Sequence, residues 1–175
     1  MKNRSVFWLV LTSLLATLTF ISSFIRIPIG PVPFTLQTVF VMLAGLVLPP
    51  PHAALSQVLN FLLMTLFVYG ASIFVTPTCG FLLGFIVMAW LLALTKKKFL
   101  PLQLILAEIL LYIIGLSYLW YTILQLKGTA LGLMKVLEIG LLPFILPDIA
   151  KIFLALLLYK RLKPILAKKI NQQLT

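Results

Sequence analysis

Asp148 and Lys151 are the residues of this chain best placed to do chemistry. They stand three apart near the start of an otherwise apolar run, so a helix there carries both on one face. The carboxylate can accept N–H groups, and the ammonium can answer an acid or carbonyl oxygen. An ionisable group inside a membrane segment costs about 3 kcal/mol to insert, so it usually faces a bundle interior and has a task there. The same pair has a plainer use, in which Lys151 merely neutralises Asp148 or both snorkel to the interface. Glu108 lies in the middle of another apolar run and carries the same cost, with no partner readable from sequence. Tyr112, one turn further along its face, is either that partner or a ligand contact.

Two other stretches carry polar groups where a chain enters a helix. In Phe34-Thr35-Leu36-Gln37-Thr38, Gln37 offers one donor and one acceptor to an amide or ureido edge, while Thr35 equally suits a helix N-cap. In Thr76-Pro77-Thr78-Cys79-Gly80, backbone N–H groups and the Thr78 hydroxyl could hold an anion or carbonyl, or simply cap the helix. Gly80 and Gly84 form a G-x-x-x-G pair whose readier use is close helix packing. Thr12 with Ala16, and Ser13 with Thr17, give the first apolar run a smooth ridge. That ridge suits docking on another membrane helix, within the chain or in a partner subunit. His52 follows three prolines and has no second histidine to share a metal, so it reads as an interface residue.

The catalytic inventory is otherwise thin. One histidine and three acidic residues leave few players for general acid–base work. No Walker loop, zinc-protease helix or serine elbow occurs. Neither an enzyme nor a bound cofactor is expected. The single cysteine, Cys79, rules out an internal disulfide.

The elements that must position these groups follow from composition. Of 175 residues, 62% are hydrophobic and 10% charged, against roughly half and a quarter in soluble domains. The bilayer is therefore the solvent, and the fold class is an all-α membrane protein of about six transmembrane helices. Punctuating residues divide the chain into spans near 6–25, 35–48, 52–68, 79–95, 101–121 and 143–159, followed by a basic tail over 160–175, all in one domain. The first run is longer than a signal-peptide core and no A-x-A-like site follows, so it reads as a span. The proline-rich stretch Ile27 to Pro33 cannot be continuous helix. Net charge is +11, but the basic residues sit at helix ends and not in a stripe with exposed aromatics, so nucleic acid is not an expected partner. With both termini inside, ten of the 14 basic residues (Lys2, Arg4, Lys96, Lys97, Lys98, Lys160, Arg161, Lys163, Lys168, Lys169) fall on one side. That asymmetry marks the cytoplasmic face. The glycine-, proline- and polar-rich connections then face outward, and a small-molecule site opening outward is the natural reading.

At this point the residues resemble a known family. Ile25-Arg26-Ile27-Pro28, with Pro31-Val32-Pro33-Phe34-Thr35-Leu36-Gln37-Thr38, looks like the signature of BioY, the biotin-specific substrate-binding component of energy-coupling factor transporters. Phe40 to Gly45, Pro77-Thr78 with Gly80 to Phe85, Leu142-Pro143-Phe144 and Asp148-x-x-Lys151 continue the likeness over nearly the whole chain. The resemblance implies a six-helix component in the bacterial cytoplasmic membrane. It would capture biotin from outside and deliver it with a transmembrane coupling subunit and paired ATPases. By position, Asp148 would accept the ureido N–H groups and Lys151 would assist polar or carboxylate recognition. Gln37, Thr35 and Thr78 would line the pocket, with Phe34, Tyr69 and Tyr112 completing the set. The chain departs from the pattern in a shortened stretch from Val68 to Val75, in Cys79 where glycine is common, and in a less regular alanine ridge on the first helix. Competing readings are a component for another vitamin, a transporter that works without ATPases, and a membrane-embedded enzyme.

Overall fold

The computed structural model describes residues 2–28, 31–95, 98–127 and 132–172. Gly30, Lys96 and Lys97 lie outside them, as do the side chains of Lys2, Arg4 and Lys127. The chain begins with α1 (Lys2–Ser22), followed by two short strands, β1 (Arg26–Ile27) and β2 (Phe34–Thr35). Helices α2 (Gln37–Val47), α3 (Pro50–Met64), α4 (Thr78–Leu94), α5 (Leu100–Lys127), α6 (Leu133–Gly140) and α7 (Ile145–Gln172) complete it. Stretches 5–22, 50–75, 100–125 and 133–169 are long and apolar enough to cross a membrane, and α2 and α4 are shorter apolar helices beside them. With the 8-residue α6 as an appendage to α5, six helices form the body of an all-α, multi-pass membrane bundle.

The outer helices turn apolar side chains to lipid and keep small or hydroxylated ones inside. On α1, Val10 and Leu14 are exposed while Thr12, Leu15, Ala16 and Thr19 are buried. The Thr12 and Thr19 hydroxyls donate to the carbonyls of Trp8 and Leu15, each at 2.7 Å, which satisfies them without leaving the helix. The ridge on α1 is thus divided: Thr12 and Ala16 are buried by the chain's own bundle, while Ser13 and Thr17 face outward. His52 is half-buried beside the Trp8 ring.

Helix α2 is the structural axis. It is apolar on all sides and packs against α1, α4 and α7, which is why nearly every residue from Gln37 to Leu46 is buried. Eleven residues rise only about 16 Å, roughly half the apolar core of a bilayer. The remaining depth above its N-terminus is roofed by the β1–β2 hairpin, in which Arg26 pairs with Thr35 and Ile27 with Phe34. The prolines that forbid helix here thus leave room inside the bundle. Val32 anchors the hairpin by packing on Leu119, Ile123 and Val136 of α5 and α6. Pro49 and Pro50 then end one helix and start the next, with proline in the first turn of α3 where its missing N–H costs nothing. Past Met64, α3 widens into one π turn, Thr65–Tyr69, and tightens into a 3-10 segment, Gly70–Val75. Gly70 joins the two at φ 59°, a left-handed conformation suited to glycine.

Two consequences of this packing are testable. A Cβ on Gly80 would collide with Tyr118 Cβ, and one on Gly84 would lie 2.6 Å from Leu111 Cδ1, so the G-x-x-x-G face is the contact line of α4 and α5. The atom facing Gly80 is the stem of a side chain and not its movable end. Gly80→Ala should therefore destabilise by about 1–3 kcal/mol, read as a lower melting temperature in detergent. On α3, Gln57 and Asn60 are fully buried; the Gln57 Nε2 donates to Ser56 Oγ, while Gln57 Oε1 and both polar atoms of Asn60 find no partner among the described residues. Asn60→Leu should be neutral or stabilising by about 1 kcal/mol, because it removes buried polar atoms without orphaning another group. A marked drop in melting temperature would show instead that internal water satisfies the amide.

Candidate functional site

The hairpin, the N-terminal ends of α2, α4 and α7, the C-terminal end of α3 and the middle of α5 enclose an open cavity. All eight candidate binding residues line it: Phe34, Thr35, Gln37, Tyr69, Thr78, Tyr112, Asp148 and Lys151. They come from five separate parts of the chain. The four candidate docking residues of α1 are not among its lining.

Its deepest polar feature is a cluster on α5 and α7. Asp148 and Lys151, only 5% and 6% exposed, form an ion pair at 2.8 Å from Nζ to Oδ1. Their i,i+3 spacing in the first turns of α7 turns both inward, toward α5. The Tyr112 hydroxyl donates to the other Asp148 oxygen, so both carboxylate oxygens are engaged. Lys151 Nζ also stands over the Phe34 ring, 4.1 Å from its centroid, which ties the hairpin to α7 through a cation–π contact. Glu108, one turn before Tyr112 on α5, is buried with its carboxyl against Asp148 and within the field of Lys151. Its unidentified partner is therefore this cluster. Burial of three ionisable groups together needs mutual pairing or a ligand to be tolerable.

Above the cluster, Thr35 and Gln37 bracket the entry to α2. The helix starts from Leu36 without a side-chain cap. Thr35 is extended in β2, its Oγ1 3.2 Å from Gln37 Oε1 and 3.4 Å from the Gln37 N–H. The side chains are thus locked to each other, and the Gln37 Nε2 is left buried with no partner. Thr38 Oγ1 and Glu108 Oε2 share that state among the described residues. One donor, one acceptor and one hydroxyl thus converge unsatisfied on a single cavity, which is what a polar ligand with both donors and acceptors would complete.

The walls between floor and mouth are apolar. Val32, Phe81, Leu82, Phe85, Leu111 and Phe144 line them, with Phe81 edge-on to Tyr112 at 6.3 Å between centroids. Thr78 opens α4 at the rim, where the Cys79 N–H donates to Thr76 O; Cys79 itself is buried in the core and not in the lining. Tyr69 reaches the cavity from the π turn, so the shortened stretch after α3 still contributes a wall. Sequence reading does not single out Arg26 or the aromatic wall residues Phe81, Phe85 and Phe144. Phenylalanine in a membrane helix carries no signal separating a ligand wall from lipid contact. Arg26 next to a proline segment was a signal, but its pairing with Thr35 was not readable. Among the described residues, no group of three or more His, Cys, Asp or Glu could hold a metal ion.

Comparison with known proteins agrees with this architecture. The family model described as the BioY family matches residues 1–168. A probable biotin transporter BioY of Pyrococcus horikoshii is 33% identical, over 87% of this chain and 94% of its own length. A biotin transporter BioY of Thermotoga maritima is 30% identical, over 89% of this chain and 95% of its own. A crystal structure of the S-component for biotin from an ECF-type ABC transporter superposes with a TM-score of 0.70 over 94% of both chains, at 23% identity, and so shares the fold.

Proposed function

This chain belongs to the BioY family, and we propose that it captures biotin as the substrate-binding component of an energy-coupling factor uptake system. Biotin presents a ureido ring with two N–H donors and one carbonyl acceptor, an apolar bicycle and chain, and a terminal carboxylate. The observation that carries the reading is the polar floor under apolar walls. Asp148 and the free oxygen of Glu108 accept the ureido N–H groups, while Gln37 Nε2 and Lys151 face its carbonyl. Thr35 and Tyr112 hold these groups in register, and Phe34, Tyr69 and Thr78 close the rim over the ring and chain.

Reaction chemistry has no place in this scheme: the protein binds and releases. The sequence carries no nucleotide-binding Walker loop, so in this reading work comes from separate ATPase subunits through a transmembrane coupling subunit. The whole chain acts as one transmembrane unit in a bacterial cytoplasmic membrane, with both termini inside and the cavity opening outward. The excess of basic residues at one end supports that orientation.

The test is equilibrium binding of labelled biotin to the purified chain in detergent, with thiamine and riboflavin as competitors. Tight binding that unlabelled biotin alone displaces supports the reading. Displacement by another vitamin, or no binding by a folded chain, refutes it. Uptake into liposomes with and without the coupling and ATPase subunits then decides whether the chain needs them.

A further inference from the structure

We infer that Arg26, on the hairpin at the mouth of the cavity, is the carboxylate-recognising residue and sets a preference for acids over neutral analogues. The inference rests on the biotin reading and deepens it. Among the described residues, two cations line the cavity, Lys151 and Arg26. Lys151 is already held, with its ammonium 2.8 Å from Asp148 and over the Phe34 ring. A second carboxylate brought to it would compete with Asp148 in a site that already holds two acidic side chains, which like charge disfavours. Arg26 forms no ion pair among the described residues. Its direction follows from the hairpin register: Arg26 opposes Thr35, and directly opposed residues of an antiparallel pair project on the same face. Thr35 faces the cavity, and Arg26 lines it beside Ser23 and Phe24.

Position suits the ligand as well as charge does. The ureido-binding groups are buried while Arg26 is exposed, so the two poles lie at opposite depths of one apolar-walled cavity. A ligand with a polar ring at one end and a carboxylate at the other spans that arrangement. Guanidinium answers a carboxylate with two parallel N–H donors, so it fixes orientation as well as charge. Ring-first entry follows, with the acid left at the mouth.

The experiment compares binding of biotin and of biotinamide, its neutral analogue, to the full chain and to Arg26→Gln and Arg26→Lys. The parent should prefer biotin. In Arg26→Gln, affinity for biotin should fall by about tenfold or more while biotinamide stays within about twofold, which erases the preference. Arg26→Lys should retain part of it, and the parent's preference should shrink as salt rises, because the contact is exposed. Biotinamide binding is the variant's own folding control, and Arg26→Lys carries the test if the glutamine variant loses it. Equal losses for both ligands, or an unchanged preference, would overturn the role of Arg26 and leave biotin capture standing. A folded parent that binds neither ligand would overturn both.

Discussion

Asp148→Asn is expected to remove biotin binding, with affinity falling by at least about a hundredfold. Asp148 is the centre of the polar floor: Lys151 and Tyr112 take its two oxygens, and Glu108 lies against it. The substitution changes little volume but removes the charge that holds Lys151, and it replaces one acceptor by an N–H donor. A ligand N–H aimed there would meet a donor. Lys151 would remain buried without its counter-charge, so the ligand-free protein should also lose about 3–5 kcal/mol, visible as a lower melting temperature. Loss of binding could then be blamed on loss of structure. The double variant Asp148→Asn/Lys151→Met separates the two, because it removes the orphaned charge and should recover most of the stability while still failing to bind biotin. If Asp148→Asn binds biotin within about threefold of the parent, Asp148 is a structural counter-ion and not a ligand contact.

Glu108→Leu should move stability and binding in opposite directions. In the ligand-free chain the Glu108 carboxyl is buried against another carboxyl, and its Oε2 has no protein partner. Leucine of similar bulk removes that cost and adds apolar contact, so the melting temperature without biotin should rise, by the equivalent of about 1–2 kcal/mol. The same oxygen is the acceptor offered to a ureido N–H, so affinity should fall by about tenfold or more. The cleanest readout is the stabilisation that saturating biotin confers, which depends on affinity for the folded state and should shrink sharply in the variant. Glu108→Gln keeps an acceptor and should lie between. A variant that becomes less stable while binding biotin normally would make Glu108 part of the structural pairing of Asp148 and Lys151. A buried group that is costly at rest and useful when occupied is the familiar trade between stability and function.

Much of this was readable from residue types alone. The burden of apolar residues demanded a membrane solvent, and Asp148 and Lys151 stood out because an ionisable pair in such a segment is expensive. Their i,i+3 spacing already put them on one face. The proline stretch announced a break in helix, and Gln37 stood out as an amide where a chain enters the bundle. Glu108 could be flagged by the same insertion cost but not assigned, since its partner lies forty residues away on another helix. Arg26 could not be singled out, because a charge just past an apolar run is an ordinary feature of a membrane helix end.

The sequence by itself determined the solvent, the helical class and which polar side chains would be too costly to leave without a task. These follow from local composition and from the short periodicity of a helix, both of which are properties of neighbouring residues. Only the tertiary structure decided which of those side chains meet. The brevity of α2 leaves a space that the hairpin roofs, the register of that hairpin turns Arg26 toward the same space as Thr35, and the approach of α5 to α7 sets Glu108 and Tyr112 on Asp148. Each is a contact between segments far apart in the chain, arranged by packing that no local pattern encodes. The cavity, and with it any binding, belongs to that level.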